Sequence, residues 1–169
     1  MEVIEAVRTV LAVRSFLPTA VPPEIQRAIL EAGRLTASSM NRQPWHFILV
    51  DDRQSLREVA ALAPTGPYIA EAGMAVAVAI DKNEYAVSDA SRAIQSMILT
   101  AWSEGVASNW VGFFGLEAAG GRLSLPAHID LLAIIAFGYP ASPSARGQKK
   151  RKSLAEIAHD GRFGVPFTR

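Results

Sequence analysis

The sequence predicts an α+β fold, one sheet flanked by helices. Three observations predict it. Segments with apolar residues at helical spacing outnumber strand-like runs and gather toward both ends of the chain. The strand-like runs, "WHFILV", "MAVAVAI" and "LLAIIAFG", are short and apolar, as buried strands are. No internal repeat or low-complexity stretch interrupts them, so the 169 residues are most simply one domain, 1–169.

Val3, Ile4, Val7, Val10 and Leu11 recur at helical spacing and predict an opening amphipathic helix. "SFLPTAVPPE" breaks it with three prolines. Pro23 suits the first position of a second helix, and Glu24 complements the dipole there. Ile25, Ala28, Ile29 and Ala32 give that helix its buried stripe, and it ends between Gly33 and Thr36. A polar elbow follows, leading into the strand "WHFILVDD". "SLREVAALA" reads as a short helix, and "MAVAVAI" as a buried strand bounded by Gly73 and Asp81. Ser88 or Asp89 is expected to cap a long helix whose Ile94, Met97, Ile98, Ala101 and Trp102 share a face. Gly105 is its natural stop. "VASNWVGFFG" reads as neither a clean helix nor a clean strand. "LLAIIAFGYP" is a third buried strand, ended by Gly138 and Pro140. "PASPSARGQKK" reads as a surface loop, and Ser153 with Glu156 as a capping box opening a last short helix. The irregular tail carries Phe163, Val165 and Phe167, which a partner subunit is expected to cover.

Composition narrows the function. Half the residues are hydrophobic and a fifth charged, enough for a core without staples. The absence of cysteine excludes disulfides, thiolate metal sites and cysteine nucleophiles, and fits a reducing cytoplasm. A net charge of +1 argues against nucleic acid or membrane as the partner of the whole chain. No leader-like opening and no membrane-length apolar run is seen, so a soluble cytoplasmic protein is expected. There is no G-x-G-x-x-G, no Walker loop and no G-x-S-x-G, and His46, His128 and His159 lie far apart. Chemistry in such a chain is expected to reside in a bound organic cofactor.

"EAGRLTASSMNRQPWHFILV" resembles the elbow of the FMN-dependent nitroreductase family, roughly A-P-S-S-x-N-x-Q-P-W-x-F. Ser38, Ser39, Asn41, Gln43, Pro44, Trp45 and Phe47 all fall at the matching spacing. "AVRSFLPTAVP" is similar to the family's opening motif, and "DASRAIQSMILTAWSEGVASNWVGFF" to its central helix and W-x-G loop. "AFGYPA" and "KKRKSLAEI" are similar to its closing strand and basic segment, so the likeness spans nearly the whole chain in order.

The resemblance implies a nitroreductase-like α+β fold with a mainly antiparallel central sheet. It implies a homodimer with FMN sites at the interface. It also implies hydride transfer from NADH or NADPH through flavin N5 to an electron-poor acceptor, a nitroaromatic or a quinone, by a ping-pong cycle. No side chain is then required as acid or base. Ser38, Ser39 and Asn41 match the positions that contact the flavin held by the other subunit. Val111 and Gly112 match the backbone contact at N5, Arg14 the pyrimidine edge or ribityl chain, and Lys149 and Arg151 a K-x-R phosphate clamp. Taken singly, the elbow residues also suit a turn that satisfies its own backbone. Arg146, Lys150 and Lys152 suit a solvated surface run. The chain departs from the family where Val10 or Leu11 and Ala12 replace an Arg and a Ser that hold phosphate; Arg8 lies one turn away. The chain is also short for the family, which reduces the excursions that shape a substrate pocket. A non-catalytic flavin- or nucleotide-binding module, a sensor or carrier, is the alternative.

Overall fold

The computed structural model describes residues 1–112, 114–142 and 149–168. Arg146 and Phe113, and most of the loop "PASPSARGQKK", lie outside the described residues. The helices are α1 (Val3–Thr9), α2 (Pro23–Arg34), α3 (Arg53–Ala61), α4 (Ala86–Ser103), α5 (Glu117–Arg122) and α6 (Leu154–Ile157). The strands are β1 (Trp45–Val50), β2 (Met74–Asp81), β3 (Ala107–Gly112) and β4 (Ile129–Gly138). They form one sheet in the order β1-β2-β4-β3, every neighbouring pair antiparallel.

Both faces of this sheet are covered, which explains why its central strands read as continuous apolar runs. Ala75 and Ala77 of β2 join a core that includes Leu56 and Val59 of α3. Met74, Val76, Val78 and Ile80 join a second core with Ile29 of α2 and Ile94 and Met97 of α4. The period-2 alternation of β2 therefore sorts small from large residues rather than apolar from polar.

Several expectations need correction. α1 ends at Thr9, and among its residues only Ala6 is buried. Val3 (75% exposed), Ile4 (58%) and Val7 (45%) face outward instead of forming a buried stripe. Val10 and Leu11 fall on the connection that follows, where Ala12 bridges to Ser108 at the sheet edge. "VASNWVGFFG" contains β3, whose buried Ser108 and Asn109 hide the strand pattern. The strand ending in "AFGYP" is fourth in the chain, not third. α5 escaped notice because Gly120 and Gly121 sit inside it. α4 starts earlier than expected, with Tyr85 at its N-cap and no side-chain cap bond. Asp89 lies a turn inside the helix, fully buried.

Other expectations stand as read. Pro23 opens α2. Gly105 ends α4 with φ of +77°, a left-handed conformation that glycine adopts at little cost. Ser153 and Glu156 form a capping box, the Ser153 peptide N–H and hydroxyl each donating to Glu156 at 2.8 Å. Trp45 and Phe47 stack at 6.2 Å between ring centroids at the mouth of β1, anchoring the elbow. Among the described residues no helix is long and apolar enough to cross a membrane.

Candidate cofactor site

A cavity of about 630 Å³ opens beside the β3 edge of the sheet. One wall comes from the end of α1 and the residues after it, including Arg8 and Ala12. Gln95 and Ile98 of α4 and Asn109 and Trp110 of β3 form others, and Lys149 and Arg151 close the site. The three cations Arg8, Lys149 and Arg151 share this cavity, and none of its lining residues is acidic. Val10, Leu11 and Ala12 line it without a charged or hydroxyl group. A second cavity of about 640 Å³ lies at α5, but Glu117 and Asp130 line it and no cation does. Charge therefore separates the two: only the first suits an anion.

Lys149 is held by α1. Its Nζ donates to the Val7 carbonyl at 2.5 Å, one of the carbonyls that the helix end leaves without an intrahelical donor. Burial, and then the charge of Arg151, pull its ammonium below the usual lysine value. An anion beside it relieves both the repulsion and the desolvation.

β3 contributes backbone. It is an edge strand, and the Val13 N–H donates to the Ser108 carbonyl from outside the sheet at 2.9 Å. N–H and C=O of one residue point the same way in an antiparallel strand and reverse at the next. The Gly112 peptide N–H therefore points away from β4, as Ser108 does, whereas that of Val111 faces it. The Val111 side chain is buried, packed where a Cβ on Gly66 would stand. Gly112 is glycine for a local reason. An added Cβ would stand 2.7 Å from Trp110 Nε1 and 3.1 Å from the Leu132 carbonyl oxygen.

A polar relay approaches the cavity from the other face. The Tyr68 hydroxyl donates to Asn109 Oδ1 at 2.8 Å. Burial raises the Tyr68 hydroxyl above its ordinary value, while the guanidinium of Arg14 beside it acts in the opposite direction. Asn109 Nδ2 is buried with no hydrogen-bond partner among the described residues. A buried donor left unpaired costs roughly 1–3 kcal/mol, so an acceptor supplied by a ligand is favoured there. Tyr68 and Asn109 were not singled out from the sequence. A polar residue inside the apolar run "VASNWV" was the available signal for Asn109; nothing marked Tyr68.

The elbow, 35–43, lies elsewhere in the chain and contributes nothing to this cavity's lining. Met40, Asn41 and Gln43 take positive φ values of 51°, 55° and 49°, unusual for residues with a Cβ. Local bonds hold this shape. Ser38 Oγ accepts from the Gln43 N–H at 2.9 Å, and Gln43 Nε2 donates to Asn41 Oδ1 at 3.1 Å. Ser39 turns to α4, its N–H donating to Asp89 at 3.0 Å and its hydroxyl at 3.1 Å. Burial alone pushes the Asp89 carboxyl up. The hydrogen bonds from Ser39, together with the hydrogen bond and charge of Arg92, outweigh it and hold it below the usual aspartate value. Its contribution is thus present above the ordinary aspartate range and is lost as pH falls through the lowered value.

One chain therefore brings together Lys149, Arg151 and Arg8 with Ser108, Asn109 and Trp110 of β3; Gly112, two residues beyond Trp110 on the same strand, is not among the lining residues. Arg14 joins them through Tyr68 and Asn109. Ser38, Ser39 and Asn41 form a separate group. The first set offers cations, amide donors and an apolar wall at Trp110 and Ile98. That donor set fits a flat heteroaromatic ligand with a phosphate at one end.

Comparison with known proteins gives the family. The family model described as "Nitroreductase family" matches residues 8–74 and 66–139. A Methanothermobacter thermautotrophicus protein named as an NADH dehydrogenase/NAD(P)H nitroreductase is 33% identical over 156 residues, 86% of this chain and 82% of that protein. The crystal structure of a Bacteroides thetaiotaomicron protein with the same name superposes with a TM-score of 0.86 at 29% identity, covering 95% of this chain and 98% of that one. A Clostridium difficile protein described as an FMN-dependent nitroreductase shares the fold, with a TM-score of 0.83 at 24% identity over 95% of this chain and 99% of that one. This chain belongs to the nitroreductase family of oxidoreductases.

Proposed function

We propose that the chain is an FMN-dependent oxidoreductase that moves hydride from NADH or NADPH, by way of flavin N5, to an electron-poor aromatic acceptor such as a nitroaromatic or a quinone. The observation that carries this reading is one cavity with Arg8, Lys149 and Arg151 on its wall, no acidic lining residue, and the Asn109 Nδ2, which has no hydrogen-bond partner among the described residues. Membership of the family supports the reaction class. FMN, when bound, supplies the N5 atom that accepts and donates hydride.

The chain's own residues bind and orient. Lys149, Arg151 and Arg8 hold the phosphate, replacing the Arg and Ser that Val10, Leu11 and Ala12 do not supply. The outward Gly112 N–H donates at N5, and Val111 fixes that peptide by burying its side chain. Arg14 places positive charge at the pyrimidine edge or ribityl chain, steadied by Tyr68. Trp110 and Ile98 exclude water along one side. The elbow residues Ser38, Ser39 and Asn41 serve the flavin of a second copy, so the working unit is a homodimer. The outward apolar residues of α1, and Phe163 at 91% exposure, are surfaces for that copy to cover. The cytoplasm is the proposed location, in keeping with a cysteine-free chain that uses reduced nicotinamide.

Initial rates measured over a grid of NADH and quinone concentrations test the activity. Parallel double-reciprocal lines are the expected pattern for ping-pong turnover. No oxidation of NADH or NADPH beyond the protein-free rate, with flavin still bound, would favour the non-catalytic sensor or carrier instead.

Arg8→Ala gives a sharper expectation. Loss of one charge-assisted contact is worth about 1.5 kcal/mol, roughly tenfold in affinity. FMN binding is expected to weaken by that factor, while riboflavin, which lacks the phosphate, binds as before. Fluorescence titration with the two flavins reads both, and an equal effect on each rules out a phosphate role for Arg8.

A further inference from the structure

The elbow is seated on a single face of α4. Tyr85, Asp89, Arg92 and Ser96 follow one another at spacings of four, three and four residues, so they form one stripe on the helix. Each end of the elbow meets that stripe. Thr36 Oγ1 donates to Ser96 Oγ at 2.8 Å, and the Arg42 guanidinium lies 5.9 Å from the centre of the Tyr85 ring. Between them, both oxygens of Asp89 are engaged: one takes the Ser39 N–H, and the other takes the Ser39 hydroxyl and Arg92. Asp89 is fully buried in the first turn of α4, where a carboxylate is costly unless it is paired. A first-turn carboxylate complements the helix dipole, but an exposed one would do so without the cost of burial. An elbow with three left-handed non-glycine residues gains a fixed anchor, since each such residue costs about 1–2 kcal/mol.

We propose that Asp89 is a positioning residue: it locks the elbow onto α4 and so sets the flavin affinity of the partner subunit's site, not of its own. The proposal rests on the reading that the elbow serves a second copy's FMN. Asp89 touches no ligand. It acts through Ser39.

Asp89→Asn tests this. Asparagine keeps the shape and one acceptor but turns a donor toward either Ser39 or Arg92. In the folded variant, hydrogen exchange at the Ser39 and Gln43 amides is expected to speed up at least tenfold, with the central amides of α4 unchanged. The dissociation constant for FMN is expected to rise about tenfold. Ser96→Ala, on the same stripe, is expected to produce a smaller change of the same kind, and it tests the seat if Asp89→Asn fails to fold.

Mixed dimers test the direction. One chain carries Asp89→Asn and the other Lys149→Ala with Arg151→Ala. Their pairing leaves one site with an intact clamp and an intact elbow, so half the wild-type FMN stoichiometry is expected to return. Unchanged elbow exchange, unchanged FMN affinity in a folded variant, or no recovered site in the mixed dimer overturns the proposal. Failure of the wild type itself to take up FMN defeats the underlying flavin reading instead.

Discussion

Replacing Lys149 and Arg151 together by alanine is expected to abolish retention of FMN through gel filtration while leaving the fold intact. Arg151 is exposed and Lys149 half-buried at the cavity mouth, and neither contributes to a buried core. Lys149 gives up only its bond to the Val7 carbonyl, which water can replace at the surface. The stability cost is therefore small, within the roughly 0.5 kcal/mol typical of surface positions. The binding cost is large. Hydrogen bonds to a charged group are worth about 1.5–3 kcal/mol each, so losing two weakens FMN by roughly a hundredfold or more. Arg8 alone cannot neutralise a phosphate dianion. Isothermal titration with FMN and with riboflavin, beside a thermal melt, reads all three quantities. Wild-type FMN affinity in a folded double variant would remove these residues from the site.

The second large effect is expected at Gly112. A side chain there meets Trp110 Nε1 at 2.7 Å and the Leu132 carbonyl oxygen at 3.1 Å. The carbonyl belongs to β4 and cannot move without disturbing the sheet, so the Trp110 ring or the Gly112 peptide must shift. Overpacking of this kind costs about 1–3 kcal/mol of stability. The functional loss is the greater one. Gly112 carries the outward N–H assigned to flavin N5, and Trp110 walls the cavity. A displacement on the order of 1 Å in a reacting centre lowers turnover roughly a hundredfold. Gly112→Ala is expected to lose activity to that extent while remaining folded.

Gly105→Ala is the matching control. Its φ of +77° makes alanine unfavourable by about 1 kcal/mol, but a Cβ there meets nothing within 4 Å. It is expected to lower the melting temperature by a few degrees, roughly 2–4 °C for this size of chain, and to leave kcat unchanged. Equal kcat losses at the two glycines would show that strain anywhere, rather than the Gly112 peptide, limits turnover.

What was legible in the sequence was whatever a local pattern specifies. The helical stripe of α2, its opening proline, the capping box at Ser153 and the glycine stop at Gly105 each depend on residues within a few positions. They appear where expected, except that in the α2 stripe Ala28 is exposed and Ile25 and Ala32 are only half-buried. β2 and β4 were legible because burial on both faces demands unbroken apolar runs. β3 was not, because its character is set by distant chain. Ser108 is covered by Ala12, and Asn109 is paired with Tyr68, 41 residues away. Asp89 looked like a helix cap because caps are the common use of an aspartate near a helix start. Its partner, Ser39, lies 50 residues earlier, and only the packing of α2 on α4 brings the two together. The outward apolar face of α1 shows the limit of such a pattern. An apolar stripe announces that something covers it, and not that the same chain does. The basic pair Lys149 and Arg151 came from motif likeness. Their convergence with Arg8 required the return of the chain from β4 to the end of α1.

The central claim is that this cavity holds FMN and that reduced nicotinamide exchanges electrons with it. Its most direct test is the visible absorption spectrum of the purified protein after incubation with FMN and desalting, followed by anaerobic addition of NADH or NADPH. A flavin spectrum retained at about one per chain and bleached by reduced nicotinamide is the predicted result. A protein that is folded but leaves the column without flavin contradicts the account.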